Sequence, residues 1–126
     1  MQIIETKQAP LPIGPYSQAV IANGMAYLSG QIALHPVSGE LVLETVEAET
    51  TQVMENIKAL LTACGSDLNQ VVKVSIFLSD MGDFARVNAV YGSYFSGNYP
   101  ARETVQVACL PKNVTVEISV IALVQA

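Results

Sequence analysis

Two charged residues, Arg102 and Glu117, have the chemistry and the sequence surroundings for a functional site. Arg102 follows a proline-containing loop at the entry to a predicted strand, and Glu117 lies in the middle of the apolar run 114–123. A planar guanidinium matches a carboxylate, so Arg102 either binds a substrate carboxylate or pairs with an acidic side chain or backbone carbonyl of the protein. An unpaired buried carboxylate is costly, so Glu117 either pairs with a cation across an interface or acts as acid or base in a pocket. The two interpretations agree if the partner of Glu117 is Arg102 or the substrate.

Three further polar side chains could line the same pocket. Asn88 lies on the apolar side of a predicted helix, where an amide is either satisfied within the core or in contact with a ligand. Tyr16 and Ser29 lie at the ends of two predicted neighbouring strands, and each can donate a hydrogen bond. The other arginine of the chain, Arg86, is expected on the surface of the second helix.

The nucleophilic and metal-ligating residues are too few for most kinds of catalytic site. His35 is the single histidine and lies in a predicted turn, so no Ser-His-Asp triad can form. Cys64 and Cys109 form no Cys-x-x-Cys pair, and we expect two reduced, buried thiols rather than a disulfide. Glycine-rich phosphate motifs are absent. The sequence therefore predicts neither a metal site nor a cofactor.

The composition indicates one domain, residues 1–126, that buries part of its surface against another chain. Apolar residues make up 51% of the sequence and charged residues only 13%, against about 25% in an average soluble protein, so we expect an oligomer. The net charge of -5 opposes binding to nucleic acid. No apolar run is long enough to span a membrane, and residues 1–16 lack a secretory signal pattern, so we expect a cytoplasmic protein without membrane contact.

Hydrophobic periodicity predicts two helices and six strands. The helices span residues 45–64 and 83–95, the second capped by Asp80 or Asp83 and ended by Gly97. The turn Asn23-Gly24 is typical of a tight antiparallel hairpin. The segments that alternate with period two, and are predicted as strands, are residues 2–6, 16–22, 25–29, 71–78, 103–109 and 114–123. The order βββαβαββ indicates an α+β fold with both helices on one face of a mixed sheet.

Alternation along the strands predicts that the two faces of this sheet differ. In segment 114–123 the face away from the helices carries a mixed set, Thr115, Glu117, Ser119, Ile121 and Leu123. In segment 71–78 the inward set is Val72, Val74, Ile76 and Leu78. In segment 103–109 the inward set is predicted to be Val105, Val107 and Cys109. Small and polar side chains dominate the other face, so we expect it to pack against a second subunit and to leave polar pockets.

Several short segments, spread in order along nearly the whole chain, match the motifs of a known family. They are Ile13-Gly14-Pro15-Tyr16-Ser17-Gln18-Ala19, Ser29-Gly30-Gln31-Ile32, Asn56-Ile57-Lys58-Ala59-Leu60, Val72-Lys73-Val74-Ser75-Ile76-Phe77-Leu78, Asp83-Phe84-Ala85-Arg86-Val87-Asn88, Pro100-Ala101-Arg102, Leu110-Pro111-Lys112 and Val116-Glu117-Ile118. In these segments the sequence resembles the RidA proteins of the YjgF family, the reactive intermediate deaminases.

This resemblance implies a chorismate-mutase-like α+β fold assembled as a homotrimer, with clefts between neighbouring subunits. It implies a 2-iminobutanoate/2-iminopropanoate deaminase, which hydrolyses the imines and enamines released by pyridoxal-phosphate enzymes to 2-keto acids and ammonia. The implied partners are a small imino or keto acid and further copies of the chain. The alternative is a non-catalytic trimeric sensor that binds small 2-keto or amino acids.

The resemblance also implies roles for individual residues. Arg102 would clamp the substrate carboxylate, and Glu117 would orient or activate the attacking water. The cleft would be lined by Tyr16, Ser29, Gly30, Asn88 and Thr104. Two departures from the family pattern stand out: Glu103-Thr104-Val105 replaces Ser-Cys-Val after the arginine, and Cys109 replaces an arginine before the Leu-Pro-Lys phrase. Strand alternation predicts that Glu103 points to the face opposite Arg102.

Overall fold

Residues 1–124, described by a computed structural model, form a six-stranded mixed sheet with two α-helices. The elements in chain order are β1 (Gln2–Ile4), β2 (Ala19–Ala22), β3 (Met25–Leu28), α1 (Val46–Ala63), β4 (Val71–Leu78), α2 (Phe84–Gly92), β5 (Ala101–Gln106) and β6 (Val116–Leu123). The strands lie in the order β1-β2-β3-β6-β4-β5, and only the β4–β5 pair is parallel. The predicted α+β order βββαβαββ is confirmed, including the β2–β3 hairpin at Asn23-Gly24.

Helix α1 forms where the apolar spacing predicts it. The Thr45 side chain accepts a hydrogen bond of 2.9 Å from the Ala48 amide and so caps the helix. Gly65 follows the helix with φ +76°, a left-handed conformation that a glycine adopts without strain. The predicted apolar stripe is buried throughout: Val53, Ile57, Leu60, Leu61 and Cys64. Packing of this stripe against the sheet forms the centre of the core.

Helix α2 is shorter than the predicted span 83–95. It begins after a tight turn in which the Asp80 side chain caps the Gly82 amide, and it ends at Gly92 rather than at Gly97. Beyond Gly92 the chain continues in turns with i to i+3 hydrogen bonds, such as Tyr94 N–H to Tyr91 O at 3.1 Å. The apolar periodicity persists through these turns because Tyr94 still packs against the core, which explains the longer prediction.

The two longest strands, β4 and β6, show the predicted alternation with one local exception. Helix-facing side chains of β4 and β6 are buried, namely Val74, Ile76, Leu78, Val116, Ile118 and Val120. A register shift between Val71 and Lys73 in the pairing with β6 turns Val71 inward and leaves Val72 38% exposed. The predicted inward position of Val72 is therefore wrong, because a bulge adds one residue to the alternation.

The two faces of strand β5 are the reverse of those predicted: the side chains expected to face the helices lie on the other side of the sheet. Its parallel register pairs Val74 with Arg102 and Ile76 with Thr104, so Arg102 and Thr104 lie on the helix-facing side. Val105 lies on the side away from the helices, here called the open face, and is 43% exposed. The prediction placed the valines of this segment toward the core because valine is apolar. In an edge strand, however, the pairing with β4 fixes the register and so decides which side chains face the helices. Cys109, expected to be buried, is exposed, and both cysteines are free thiols.

Two buried amide side chains hold loops of the fold in place. Gln18 is 2% exposed; its side-chain oxygen accepts from the Thr6 amide at 2.8 Å, and its nitrogen donates to the carbonyls of Thr6 and Pro10 at 3.0 and 2.8 Å. Asn56 on α1 is 1% exposed and donates to the carbonyls of Ile32 and Leu34 at 3.2 and 2.9 Å. These loops have no strand partner at those groups, so the side chains replace the sheet hydrogen bonds.

Replacing Asn56 with alanine tests this anchoring. The variant leaves the Leu34 carbonyl, and the side-chain amide that Gln52 donates to Asn56 Oδ1, without their partner, and the Ile32 carbonyl keeps only the Leu34 amide as donor. We expect the free energy of unfolding to fall by about 2–4 kcal/mol, measured by urea unfolding at one protein concentration. Asn69→Ala, at an exposed asparagine, serves as the control and should change it by less than about 0.5 kcal/mol. An equally small change in Asn56→Ala would contradict the anchoring.

Candidate active site

Glu117 lies on the open face of β6 and lines a cavity of about 540 Å³, here called the Glu117 cavity. Loop residues from three parts of the chain enclose it, and six of the lining residues are apolar. The apolar lining consists of Pro10, Leu11, Ile13, Ile32, Leu34 and Pro111. The polar side chains among the lining are Tyr16, Gln18, Ser29, Gln31, Lys112 and Glu117. A cavity with an apolar lining and a few converging polar groups is typical of a small-molecule site.

The Glu117 carboxylate sits directly against the backbone of Gly30. A Cβ atom on Gly30 would lie 2.9 Å from Glu117 Cδ, closer than real contacts allow, so a larger residue here would displace the Glu117 carboxylate. Burial raises the pKa of Glu117 above its usual value. Within residues 1–124, no protein donor or cation forms a hydrogen bond or ion pair with this carboxylate. It is therefore available to a ligand or to water.

The other residues predicted near Glu117 are placed with it, with one change of role. Tyr16, 51% exposed, and Gly30 line this cavity. Ser29 also lines it, but its hydroxyl donates to the Ser17 carbonyl at 2.5 Å, so it can offer a ligand only an acceptor. Lys112 was not predicted as a site residue. Its Leu-Pro-Lys phrase is visible in the sequence, but its φ of +56°, which shapes the turn that lines the cavity, is not.

Arg102 lines a second cavity of about 450 Å³ on the helix-facing side, here called the Arg102 cavity, with Asn88, Tyr91, Gly92, Tyr99 and Pro100. Its Nη1 donates to Asn88 Oδ1 at 2.6 Å, and its guanidinium carbon lies 5.1 Å from the ring centroid of Tyr91. The interpretation of Asn88 as a core amide is wrong, since Asn88 is exposed and holds Arg102 instead. Among residues 1–124 no carboxylate pairs with Arg102, so most of its donors remain free.

Glu103, the departure next to Arg102, does not compete for the guanidinium. It lies on the open face, as alternation predicts, and forms an ion pair with Lys73 Nζ at 2.9 Å. Hydrogen bonds from Lys73 and Ser75 lower the pKa of Glu103. Thr104 lines neither cavity. Its hydroxyl and that of Tyr91 are buried, and neither has a hydrogen-bond partner among the described residues.

The structure thus places the predicted residues in two groups rather than one. Tyr16, Ser29, Gly30 and Glu117 lie together in one cavity, and Asn88 and Arg102 lie together in another. Arg102 is on the helix-facing side of β5 and Glu117 on the open face of β6, so a single chain does not bring them together. Across residues 1–124 there is no group of three His, Cys, Asp or Glu side chains that could hold a metal ion. Within the same residues no helix is long and apolar enough to cross a membrane.

Comparisons with known proteins agree with the fold and its motifs. The family model described as Endoribonuclease L-PSP matches residues 6–124. A mouse protein named 2-iminobutanoate/2-iminopropanoate deaminase is 48% identical and covers 97% of this chain and 90% of its own. RidA from the Antarctic bacterium Psychrobacter is 46% identical, with a TM-score of 0.94 over 98% of this chain and 100% of its own. E. coli TdcF with bound serine is 41% identical, with a TM-score of 0.94 over 99% of this chain and 100% of its own.

The sheet order, the two helices and the distribution of matching segments confirm what the motifs implied about the family and its fold. With a family model that spans nearly all of the described residues and relatives close to half identical over their full length, this chain belongs to the Endoribonuclease L-PSP family, the family of the YjgF and RidA proteins.

Proposed function

We propose that this protein is a 2-iminobutanoate/2-iminopropanoate deaminase, which hydrolyses imines and enamines released by pyridoxal-phosphate enzymes to 2-keto acids and ammonia. The observation that carries the proposal is a pair of complementary unpaired charges, the Arg102 guanidinium and the half-buried Glu117 carboxylate. A 2-imino acid has a carboxylate that suits the first and an electrophilic carbon that water, activated by the second, can attack. The mouse relative is named for this activity.

Arg102 is proposed to bind the substrate carboxylate. Asn88 holds one nitrogen of the guanidinium, and the ring of Tyr91 lies beneath it, so the side chain is oriented before a ligand arrives. The free donors can then form two parallel hydrogen bonds to a carboxylate, which fixes both the position and the direction of the substrate. Orientation of this kind lowers the entropic cost of the reaction.

Glu117 is proposed to act as the general base. As the carboxylate accepts a proton from water, the water oxygen forms a bond to the imine carbon and the electron pair of the C=N bond moves to nitrogen. The protonated Glu117 carboxyl returns that proton to the nitrogen, which gives a carbinolamine with an –NH2 group. The hydroxyl proton then passes to this nitrogen through Glu117 or water, the electron pair of the C–N bond leaves with ammonia, and the C=O bond of the 2-keto acid forms. A raised pKa makes Glu117 a stronger base than an exposed glutamate. The imine is reactive enough to need neither a metal nor a covalent intermediate.

A homotrimer is proposed to join the two half-sites. The Arg102 cavity and the Glu117 cavity are different surfaces, so contact between one surface and the other on the next copy is heterologous and can close into a ring. The open face exposes Tyr27, Val105 and Leu123 at 43–46% of their surface, which favours assembly. In this arrangement one chain supplies Arg102 and its neighbour supplies Glu117 to each cleft. The cytoplasm is the proposed location.

Two other functions are distinguished by the charges and by the assay below. The family description names an endoribonuclease, but a net charge of -5 and two cavities with one cationic side chain each do not favour a phosphate backbone. A sensor of small 2-keto or amino acids would use the same cavities, and one structural relative, E. coli TdcF, was solved with bound serine. Such a sensor would bind 2-ketobutyrate without hydrolysing imines.

Arg102→Ala tests the carboxylate clamp. Threonine dehydratase generates 2-iminobutanoate, semicarbazide traps what remains, and the protein is added at rising concentration. We expect wild type to suppress trapping and Arg102→Ala to lose about 2–5 kcal/mol of transition-state binding, a fall in kcat/KM of about 30-fold or more. Arg86→Ala is the matched control: it removes the other arginine, which pairs with Glu47 at the surface, and should retain wild-type activity. If the wild-type protein leaves semicarbazide trapping unchanged, the deaminase proposal is wrong and the sensor is favoured.

Glu117→Gln tests the general base and its pH dependence. The amide cannot accept the proton, so we expect kcat to fall about 100-fold or more. In wild type, kcat/KM should fall on the acid side with a midpoint above the usual pKa of a glutamate, because burial raises the pKa of Glu117. A raised folded pKa also means that the ionised carboxylate costs stability at neutral pH.

The variant should accordingly have a higher Tm than wild type at neutral pH, and this gain should shrink as the pH falls and vanish at about pH 3, well below the usual glutamate pKa, where the group is protonated in both states. Thermal unfolding at both pH values measures the difference. An active Glu117→Gln enzyme with an unchanged acid limb would rule out this role.

A further inference from the structure

A buried glutamate on α1, outside both cavities, is bonded to the backbone immediately before the proposed general base. Glu49 is 2% exposed. Its Oε2 accepts from the amides of Thr115 and Val116 at 2.8 and 3.1 Å, and its Oε1 accepts from the Thr115 hydroxyl. These three donors satisfy a carboxylate that has no cation beside it among the described residues. Val116 is the residue that precedes Glu117.

The segment that Glu49 holds is strained. Lys112 and Asn113 have φ values of +56° and +55°, two consecutive non-glycine residues in the left-handed region. Such residues persist only when their surroundings fix them. Local hydrogen bonds close the turn at one end, from Asn113 N–H to Leu110 O at 3.0 Å. Glu49 fixes the other end, where the turn meets β6, and Pro111 and Lys112 in this turn line the Glu117 cavity.

We propose that Glu49 is a positioning residue of the Glu117 cavity: it ties the strained Pro111–Asn113 turn and the first residue of β6 to α1, so that Lys112 and Glu117 are held on one wall. This inference rests on the proposed function for its catalytic consequence. Gln31 and Ile118 exchange backbone hydrogen bonds of 2.8 and 3.1 Å on the other side of Glu117. Pairing with β4, which places Phe77 opposite Glu117, also holds this strand, so loss of Glu49 frees only the end of the segment next to the turn, at Thr115 and Val116.

The variants are Glu49→Ala, Glu49→Gln and Thr115→Val, with Thr50→Val as the matched control. Glutamine keeps an acceptor for both amides and places its NH2 against the Thr115 hydroxyl oxygen, so it should restore activity. Thr115→Val removes only the hydroxyl donor. Thr50 is fully buried one residue along the same helix, but its hydroxyl bonds only to Val46 O of that helix. The control therefore tests burial on α1 without touching the cavity wall.

We expect Glu49→Ala to lower kcat by about tenfold or more, with KM within about twofold of wild type because the Arg102 clamp is unchanged. Glu49→Gln and Thr50→Val should keep kcat near wild type, and Thr115→Val should show a smaller loss. Rates are normalised to folded protein and measured below the thermal unfolding transition of every variant. If Glu49 has only a structural role, kcat in Glu49→Ala is unchanged under these conditions, which would overturn the inference. If Glu49→Ala does not fold, Thr115→Val decides in its place by the same criterion.

A second measurement separates this inference from the proposed function. The Glu117 carboxyl is titrated by 13C NMR; the other ionisable side chains lining its cavity are Tyr16 and Lys112. Burial is the cause of its raised pKa, so a loosened wall that admits water should lower the pKa in Glu49→Ala but not in Thr50→Val. If wild type hydrolyses no imine, the proposed function fails and the titration alone decides. An unchanged midpoint in Glu49→Ala then refutes the positioning role.

Discussion

Where loops leave the sheet, their buried backbone N–H and C=O groups need hydrogen-bond partners other than water. The walls of the Glu117 cavity depend on the side chains that provide those partners. Three buried side chains provide them: Gln18 bonds the 6–10 segment, Asn56 the 32–34 segment, and Glu49 the start of β6. Each of these segments contributes to the cavity lining or leads directly into it. Because an unsatisfied buried group costs about 1–3 kcal/mol, these three contacts define the shape of the cavity as well as the stability of the loops.

The sheet separates the two charges that the proposed chemistry requires. Arg102 and Glu117 come from neighbouring parts of one sheet, but on opposite faces, so neither neutralises the other within a chain. Asn88 and Tyr91 orient the guanidinium, and the Gly30 backbone confines the carboxylate. Each half-site is prepared for a partner that the same chain does not provide. The proposed trimer supplies that partner, and the small, partly apolar open face is the surface through which copies could meet.

Much of this arrangement follows from the sequence, and the parts that do not have specific causes. The α1 stripe and the alternation of β6 are repeated over many residues, so their periods are unambiguous, and Glu103 points away from Arg102 as alternation requires. The predicted faces of β5 are reversed because its valines resemble core residues. The actual faces follow from the register of this edge strand, which pairing with β4 fixes. Lys112 and Glu49 were missed for a different reason. A left-handed turn and a contact between residues 66 positions apart leave no local periodic signal.

The composite site is the central claim, and a mixing experiment tests it most directly. Arg102→Ala and Glu117→Gln proteins, each inactive alone, are combined in equal amounts, dissociated and reassembled, and imine hydrolysis is measured. If each cleft takes Arg102 from one chain and Glu117 from its neighbour, the chance that both are intact is one half times one half, and about one quarter of wild-type activity returns. If both residues of a site came from the same chain, no mixed assembly would hold an intact pair. Failure to recover activity in verified mixed assemblies would contradict the account.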